Sequence, residues 1–591
     1  MNKDKPVVSA LSCVVIAIIF AIGLLQLAKR LKEVQIDAAA NYNYASSAQS
    51  MRRVQTAGIR GRILDRNGKI LAGNRTALTI ACDPVCFQAR TWEATATAIS
   101  NAIERVGAAM GLDFPLTEKA IKRHIDQSLA MPLVVWRDIG NREVAIFSEH
   151  EAEFMGFRIM ETAERVYPEG SLASHIIGFV GRAEASSEAG DERFAFRNQE
   201  LFGREGLERY YDGFLRGMPG EVKLLVDARG FAIDEQTVVE ADKGPDLQLA
   251  LDAELQRVVE AQLKGEKGAC VVMNPQNGEV LAMASAPAYD LRACVPILRS
   301  SEYRKLMDDP DRPMFNRASG GAYAPGSTFK PICALAGLRE GYLEDTEYSC
   351  DGAFRLGSMA LRCTAYWGHG PIDMRHAMMK SCNPYFCNLG MEIGSNAVIT
   401  AAREFGLGAK TGIDLAVDMA GVVPDGEWKR KMYKEQWYPG DLAQMSIGQG
   451  MLLASPLQMA CVAGAIGTGY LVTPHLKKEA PFERKALPFS QAQLNIVREG
   501  MRMVVKGDGE TRGSGSLGGE GVEVEVAGKT GTAEVGQGKN RRKNTWFIAY
   551  APVEKPSVAI AMVIENGESG GRTTAPRVGA ILRAIFNGHE R

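Results

Sequence analysis

The feature that most constrains this chain is an apolar run near its start, VVSALSCVVIAIIFAIGLLQLA, which spans residues 7–28 without a charge. About 20 consecutive apolar residues are enough for a helix to cross the hydrocarbon core of a membrane. A cleaved signal peptide has a shorter apolar region and a cleavage site between small residues, and no convincing site precedes Lys29. The run therefore predicts one uncleaved transmembrane helix after a tail of residues 1–6, in preference to a buried core helix. Basic residues flank the run on both sides, so the positive-inside rule does not decide its orientation.

The rest of the chain is long enough for more than one domain. Residues 29–240 are polar and irregular with strand-like pieces, whereas helical and strand-like stretches alternate through residues 241–591. In the second part Asn277-Gly278 separates two apolar runs, which is a strong hairpin signal. Further strands are predicted at residues 522–526 and in NTWFIAYAPV and SVAIAMVIE, and a helix in APRVGAILRAIF. Hairpins with helices at both ends predict an α+β fold, an antiparallel sheet covered by helices.

Composition excludes one class of partner. The formal net charge is −1 and the sequence has no long run of lysine and arginine, so no nucleic-acid partner is expected. Its seven histidines are too few and too scattered for a histidine-rich metal tract. One segment, GDGETRGSGSLGGEG at residues 507–521, is low in complexity and is predicted to be flexible.

Three short motifs in the second part point to chemistry at a serine hydroxyl. In chain order they are Ser327-Thr328-Phe329-Lys330, Ser381-Cys382-Asn383 and Lys529-Thr530-Gly531, with Thr532 next. One motif alone is more often a surface turn, but all three in this order favour a catalytic site. The Ala-Pro-Gly turn and the apolar CALAGL predict that Ser327 opens a helix, with Lys330 one turn on along the same face. A serine needs a neighbouring base to react, and a lysine can be that base only where burial or a second cation lowers its pKa.

The three motifs resemble the active-site set of penicillin-binding proteins and class A β-lactamases. The resemblance implies a penicillin-binding transpeptidase fold, similar to that of serine β-lactamases. It implies that Ser327 is the nucleophile, Lys330 its base and Lys529 the second cation. Ser381 would pass a proton toward the leaving amine, and Asn383 would hold the substrate amide.

The third motif would bind the substrate. Thr530 and Thr532, on either side of Gly531, offer hydroxyls to a terminal carboxylate, and Lys529 adds charge. The backbone N–H groups of Ser327 and Thr532 would form the oxyanion hole.

Segments of the first part resemble the region outside the membrane in class B penicillin-binding proteins. They are RGRILDRNG (60–68), RVYP (165–168), HIIGFVG (175–181) and GREGLE (203–208). In that class such segments build an elongated pedestal, so the resemblance implies a β-rich pedestal over residues 29–240 and a transpeptidase domain over residues 241–591. The stretches WGHG, WYPGD and SIGQG favour the elongation type, penicillin-binding protein 2, and a division-type enzyme is the alternative.

Eleven cysteines are many for a protein that faces an oxidising compartment. Four residues around the second motif are suitable ligands for tetrahedral zinc: Cys350, Cys363, His369 and Cys382. Their spacing is not the compact C-x-x-C type, so buried thiols or a disulfide are the alternatives. Some elongation-type enzymes carry zinc in this segment beside W-G-H-G, and the resemblance implies one structural zinc here, with Asp351 competing with Cys350. No organic cofactor is implied.

The resemblance implies a D,D-transpeptidase that cross-links peptidoglycan stem peptides through an acyl-enzyme at Ser327 and that also reacts with β-lactams. A β-lactamase is disfavoured by the length and the anchor, and Glu392 of EIGSN follows Asn383 too closely to be a deacylating glutamate. An inactive scaffold is expected to lack a motif residue and a sensor to carry a cytoplasmic signalling region, and neither expectation fits this sequence.

The same resemblance implies a location and partners. It places the chain in the bacterial inner membrane as a single-pass protein, with residues 1–6 in the cytoplasm and the catalytic domain in the periplasm. The expected partners are the membrane itself, a polytopic lipid-II glycosyltransferase and elongation scaffold proteins bound to the pedestal.

Overall fold

The computed structural model describes residues 10–38, 50–182, 196–197, 201–295, 298, 300–536 and 542–588. Its first helix, α1 (Ala10–Lys32), continues into a π-helical turn, Glu33–Asp37. The apolar side chains of α1 are exposed, Leu25 by 71%. Residues Leu11–Asp37 are long and apolar enough to cross a membrane, with a mean hydropathy of 2.6. The helix therefore coincides with the anchor predicted from the sequence.

Short strands dominate the part of the chain that follows, which we call the pedestal. They are β1 (Met51–Thr56), β2 (Ile63–Leu64), β3 (Ile70–Cys82), β4 (Leu133–Trp136), β5 (Phe157–Val166), β6 (Val180–Arg182), β7 (Phe196–Arg197), β8 (Leu201–Gly203), β9 (Gly220–Val226), β10 (Ala232–Val239) and β11 (Leu247–Gln248). One sheet has the order β10-β9-β1-β7 and a second β11-β2-β3-β4, with β5 also paired to β3. Because β11 pairs with β2, the pedestal sheet extends beyond the boundary predicted at residue 240.

Helices pack around these sheets, six of them in the described part of the pedestal. They are α2 (Trp92–Met110), α3 (Glu118–Ser128), α4 (Asn141–Glu149), α5 (Ser174–Ile177), α6 (Gly206–Tyr210) and α7 (Asp212–Leu215). The longest of them, α2, begins where the Thr91 side chain accepts the Ala94 N–H and ends at a left-handed Gly111. Its apolar face joins the core around Trp136 and Phe157, which holds the helix against the second sheet.

A buried charge cluster joins three of the segments that carry the class B resemblance. Arg60 Nε donates to Glu208 Oε2 (2.6 Å), and Arg60 Nη1 donates to Asp212 (2.8 Å). Arg165 Nε donates to the other Glu208 oxygen (2.7 Å), and its Nη1 donates to the Gly61 carbonyl (2.7 Å). Glu208 is wholly buried and both arginines nearly so. Since each segment supplies one charge, the cluster ties the pedestal together and fits the structural role expected for these segments.

The second part of the chain is built around a five-stranded antiparallel sheet with the order β13-β12-β22-β21-β20. Its strands are β12 (Gly268–Met273), β13 (Val280–Ala286), β20 (Ala527–Val535), β21 (Arg542–Ala551) and β22 (Val558–Glu565). Among the described residues, three two-stranded antiparallel sheets of this part lie outside it: β14 (Tyr348–Cys350) with β17 (Gly370–Ile372), β15 (Ala353–Leu356) with β16 (Met359–Arg362), and β18 (Tyr470–Val472) with β19 (Arg484–Ala486).

Helices cover both faces of this sheet, as predicted. They are α8 (Ala253–Gln262), α9 (Ser300–Asp308), α10 (Lys330–Arg339), α11 (Met374–Met379), α12 (Asn383–Glu404), α13 (Gly426–Tyr433), α14 (Pro439–Ser446), α15 (Pro456–Thr468), α16 (Gln491–Lys506) and α17 (Ala575–Phe586). Residues of α8 and α17 form the core on one face. Residues of α10, α12, α15 and α16 form the larger core on the other.

The predicted hairpins are confirmed. Asn277-Gly278 joins β12 to β13, and Gly278 has a φ of +86°, which glycine adopts without strain. NTWFIAYAPV and SVAIAMVIE form β21 and β22, and APRVGAILRAIF forms α17.

The strand predicted at residues 522–526 is wrong, because β20 begins only at Ala527. The neighbouring strand β21 ends at Ala551, and the next residue, Pro552, has no N–H with which to extend the ladder. Val522 and Val524 are instead half-buried against the core below the sheet, and Val526 is buried in that core. The alternating pattern of residues 522–526 therefore predicted correctly that one side of the segment is buried, but it did not predict whether the segment pairs as a strand.

Candidate active site

Ser327 lies at the start of a helix, as predicted, in a single 3₁₀ turn, Gly326–Phe329, that leads into α10. Gly326 has a φ of +55°, which favours glycine, and its N–H donates to the Gly448 carbonyl (2.7 Å). Ser327 is half-buried, whereas Lys330 is wholly buried. The turn therefore leaves the serine accessible from solvent and places the lysine in the interior behind it.

Two buried lysines meet at the second motif. Lys330 Nζ donates to the Ser381 carbonyl (2.7 Å) and to Asn383 Oδ1 (2.7 Å), and it lies 3.3 Å from Ser381 Oγ. Lys529 Nζ donates to Ser381 Oγ (3.0 Å) and to the Thr530 carbonyl (2.9 Å). The Ser381 hydroxyl thus lies between two amines contributed by a helix and by a strand.

Burial changes the acidity of both amines, since it disfavours the charged form. It lowers the pKa of Lys330 to about 8. The pKa of Lys529 falls well below its ordinary value, first through burial and then through the nearby charge of Lys330. The sequence predicted Lys529 as a charged neighbour of a neutral Lys330, whereas burial favours the neutral form of both amines.

The backbone around Ser381 is held in an unusual conformation. Ser381 has a φ of +59°, in the left-handed region that residues other than glycine rarely adopt. Its own N–H donates to Met378 (3.2 Å), and the Cys382 N–H donates to Ala377 (2.8 Å), both carbonyls of α11. Asn383 is fixed from the other side, because its Nδ2 donates to the Arg362 carbonyl (2.7 Å). The strained turn aims the Ser381 hydroxyl at the two lysines.

The third motif lies in β20, at the edge of the central sheet, where it faces the serine turn. A Cβ on Gly531 would lie 2.9 Å from the Pro325 carbonyl oxygen and 2.9 Å from Thr328 Cγ2. Only a residue without a side chain allows the turn to approach the strand this closely. The glycine therefore brings the backbone of Thr532 next to the turn that carries Ser327.

Two hydroxyls flank this glycine. Thr532 Oγ1 accepts the Gly570 N–H (3.3 Å), and Thr530 Oγ1 lies 3.1 Å from Ser514 Oγ. Thr530 is buried and Thr532 half-buried, so both lie in the floor of the site rather than on its rim.

The structure also brings together the four predicted metal ligands, Cys350, Cys363, His369 and Cys382, whose ligand atoms all lie within 4.8 Å of one another. Cys350 ends β14, and His369 immediately precedes β17, so the pairing of these two strands brings two of the four ligands together. The competitor Asp351 is exposed and forms an ion pair with Arg355 (2.8 Å), so the structure places Cys350 in the cluster instead.

The cluster has the dimensions of a zinc site. Tetrahedral zinc, with bonds of about 2.3 Å to sulfur and about 2.0 Å to nitrogen, separates these two ligand atoms by about 3.5 Å. Cys363 Sγ and His369 Nδ1 are 3.6 Å apart. A hydrogen bond with Cys382 lowers the pKa of Cys363 to about 4 and raises that of Cys382. Three sulfurs and one imidazole nitrogen, one sulfur already favoured as thiolate, are a donor set that suits zinc.

Some residues at the site were missed from the sequence. Ser514 belongs to the glycine-rich segment that was predicted only to be flexible. Tyr366, between Cys363 and His369, is 74% exposed, and its ring centroid lies 4.8 Å from that of Trp367, the first residue of WGHG, in an edge-to-face arrangement. An aromatic pair between metal-type ligands could have drawn attention to Tyr366, whereas nothing in the sequence around Ser514 could have done so.

A serine on a helix turn, two buried amines around a second serine and a glycine-bearing edge strand define a serine acyltransferase whose base is a lysine. Family comparisons give this class a narrower identity. The penicillin binding protein transpeptidase domain matches residues 268–586, and the penicillin-binding protein dimerisation domain matches residues 55–249. The chain belongs to the penicillin-binding proteins, in class B, and is most like the elongation-type penicillin-binding protein 2.

Individual relatives agree over nearly the whole chain. The peptidoglycan D,D-transpeptidase MrdA of Acinetobacter baumannii is 32% identical over 589 residues, covering 94% of this chain and 85% of the relative. The penicillin-binding protein PBP2 of Helicobacter pylori, solved in complex with MreC, superimposes with a TM-score of 0.78 at 28% identity, covering 90% of this chain and 98% of that one. A chain of a peptidoglycan synthase complex that coordinates polymerization and crosslinking gives a TM-score of 0.72 at 27% identity, covering 98% and 99%.

Proposed function

We infer that this chain is a peptidoglycan D,D-transpeptidase that cross-links stem peptides through an acyl-enzyme at Ser327 during cell-wall elongation. The observation that carries this inference is the buried pair Lys330 and Lys529 on either side of Ser381, beside the accessible turn of Ser327. Relatives named as D,D-transpeptidases over almost the full length support the substrate class.

Acylation begins when Ser327 Oγ attacks the carbonyl carbon of the D-Ala-D-Ala peptide bond and gives its proton to neutral Lys330. The backbone N–H groups of Ser327 and Thr532, brought together by Gly531, stabilise the oxyanion that forms. When the C–N bond breaks, Ser381 donates its proton to the leaving D-alanine amine, and the buried amines restore it. The acyl group remains on Ser327 as an ester, which the amine of a second stem peptide then attacks.

Two of the motifs hold the substrate. Thr530 and Thr532 donate hydrogen bonds to the terminal carboxylate, and Asn383 holds the substrate amide. Burial favours the neutral form of Lys330, which is the form that accepts the serine proton.

The cluster of Cys350, Cys363, His369 and Cys382 would hold one structural zinc. A closed four-ligand site leaves no open position for substrate, so the ion contributes cross-linking of the chain rather than chemistry at the peptide bond. The ligand Cys382 separates Ser381 from Asn383. The four ligands therefore fix the turn that positions both side chains around Lys330.

We propose that the protein is a single-pass protein of the bacterial inner membrane, with residues 1–6 in the cytoplasm and the catalytic domain in the periplasm; the apolar helix α1 supports the anchor. Its partners are a polytopic lipid-II glycosyltransferase and an elongation scaffold protein. A PBP2 solved with MreC and a similar chain in a synthase complex support both partners. A cleft of about 1600 Å³ in the pedestal, lined by residues such as Arg75, Arg123 and Glu164, lies away from Ser327 and offers the scaffold a surface.

The test of the reaction is intact mass spectrometry of the full-length protein after exposure to labelled penicillin. We expect one adduct per chain, mapped by peptide analysis to Ser327, absent from Ser327→Ala and released over hours. An unmodified, folded wild type contradicts the inference, and release within seconds indicates a β-lactamase. In a rod-shaped host, depletion should give round cells if the chain serves elongation and filaments if it serves division.

Metal analysis tests the zinc site separately. We expect about one zinc per chain in the wild type, near zero in His369→Ala, and an unchanged content in the matched control Asp351→Ala. Equal, near-zero contents in wild type and His369→Ala would refute the site while leaving the acylation result untouched.

A further inference from the structure

The glycine-rich segment 507–521 is packed tightly against the strands of the active site. A Cβ on Gly515 would lie 2.7 Å from the Phe547 ring and 3.3 Å from Thr530 Cγ2. A Cβ on Gly518 would lie 2.5 Å from the same ring. Glycine is thus required here by close approach, and the segment follows the surface of β20 and β21.

This packing places Ser514 at the binding floor. Ser514 is exposed, and its Oγ lies 3.1 Å from Thr530 Oγ1. The same segment is held from the other side of the site, because Lys380 Nζ, next to Ser381 in the chain, donates to Thr511 Oγ1. The segment therefore spans from the second motif to the third and holds Ser514 against Thr530.

The number of protons that Thr530 and Thr532 can donate determines the direction of the hydrogen bond between Ser514 and Thr530. A hydroxyl has one proton to donate and two lone pairs to accept. Thr532 Oγ1 accepts the Gly570 N–H, so its own proton is available to a ligand. If Thr530 donated to Ser514, it would have no proton left, whereas a carboxylate can only accept hydrogen bonds. An anionic ligand therefore favours the arrangement in which Ser514 donates.

We propose that Ser514 is a positioning residue for carboxylate recognition: its hydroxyl donates to Thr530 Oγ1 and so directs the Thr530 proton toward the carboxylate of the ligand. The ligand class is an acyl donor with a carboxylate next to the scissile amide, such as a stem peptide or a β-lactam. The proposal rests on the proposed function, in which Thr530 binds that carboxylate.

The experiment measures second-order acylation rate constants of the full-length protein with benzylpenicillin and with its methyl ester, which lacks the charge. Ser514→Ala is expected to slow acylation by benzylpenicillin about five- to twentyfold, because a charge-assisted hydrogen bond is weakened, and acylation by the ester by less than about twofold. Ser514→Thr, which keeps the hydroxyl, should restore the benzylpenicillin rate. Ser516→Ala, the same change two residues on where the side chain does not bond to Thr530, is the matched control and should match wild type with both compounds.

A double-mutant comparison separates positioning from a general loosening of the loop. If Ser514 acts through Thr530, the variant carrying both Ser514→Ala and Thr530→Ala should be no more than about twofold slower than Thr530→Ala alone. Three results would overturn the proposal, provided that the variants unfold at the wild-type temperature. Ser514→Ala could slow acylation equally with both compounds, or leave both rates unchanged. The rate losses of Ser514→Ala and Thr530→Ala could also multiply in the double variant. If Ser514→Ala does not fold, Ser514→Thr and Ser514→Cys take its place. The ratio of the benzylpenicillin rate constant to the methyl ester rate constant then tests the proposal in the same way. A wild type that benzylpenicillin does not acylate counts instead against the proposed function.

Discussion

The pedestal and the catalytic domain each bury two cations around one acceptor, but the two sites differ in what balances the charge. In the pedestal, Arg60 and Arg165 share the carboxylate of Glu208. In the catalytic domain, Lys330 and Lys529 share the neutral hydroxyl of Ser381. The first site is a network of ion pairs, whereas the second lacks a carboxylate among the hydrogen-bond partners of either lysine in the described structure.

This difference separates a structural site from a reactive one. An arginine stays protonated, so its burial requires a permanent counter-charge and directed acceptors. A lysine can lose its proton instead, and the burial that makes this favourable also creates a base. The same apolar surroundings therefore give rigidity where the cations are guanidinium groups and reactivity where they are amines.

The largest predicted effect comes from making the same substitution at both sites. Lys330→Met should slow acylation by penicillin about 10²- to 10⁴-fold, the range for loss of a general base, with the free energy of unfolding unchanged or raised. Arg60→Met should lower the free energy of unfolding, because it leaves part of a buried carboxylate unpaired, while acylation by the folded protein stays within about threefold. Stopped-flow acylation and urea unfolding measure the two effects, and a destabilised but fully reactive Lys330→Met would abolish the distinction.

The next effect tests whether Glu208 is needed to keep two arginines buried. Glu208→Gln retains the shape but removes the charge, and we expect the unfolding free energy of the protein to fall by about 3–5 kcal/mol, as when one partner of a buried ion pair is lost. Glu254→Gln, an exposed carboxylate that also pairs with an arginine, is the control and should have little effect. Equal unfolding midpoints for the two variants would show that the pedestal cluster is not what holds its segments together.

The pH dependence of acylation should follow the titration of Lys330 and should not depend on the arginine cluster of the pedestal. Because only neutral Lys330 accepts the serine proton and its pKa in the free protein is about 8, acylation should rise about tenfold per pH unit below 8 and level off above it. Arg60→Met should keep this profile, and the residual activity of Lys330→Met should lose it. A wild-type rate that is flat from pH 6 to pH 9 would contradict the assignment of Lys330 as the base.

The smallest effect is expected at an exposed ion pair. Asp351→Asn breaks the contact with Arg355 at the surface, where solvent screens the charges, so no measurable change in unfolding temperature is expected. Zinc content and acylation rate should also match wild type. A loss of zinc in this variant would return Asp351 to the ligand set in place of Cys350.

Local patterns predicted much of the architecture. The uncharged run predicted α1, Asn277-Gly278 predicted the first hairpin, and the order of three motifs predicted which segments meet in the active site. These three predictions succeed because each depends on a local feature of the sequence: a run of apolar residues, a turn or the spacing within a motif. The strand at residues 522–526 failed because pairing depends on where a distant neighbour ends, at Ala551.

The finer chemistry depends on contacts between distant segments. The lowered pKa values of Lys330 and Lys529 depend on burial of both amines by distant segments, which no motif expresses. Ser514 was hidden because a glycine-rich stretch has the same composition whether it is unstructured or closely packed. The choice of Cys350 over Asp351 likewise needed the pairing of β14 with β17, which sets Cys350 opposite Gly370, the residue after His369.

The close approach at Gly531 limits how a bacterium can escape an antibiotic aimed at this enzyme. Any side chain there would push the Pro325 backbone and the reactive turn away from the edge strand, and the cell would lose wall synthesis together with drug sensitivity. Selection for resistance is therefore directed toward residues whose side chains are exposed, such as Tyr366 and Trp367, because these can change without displacing the backbone.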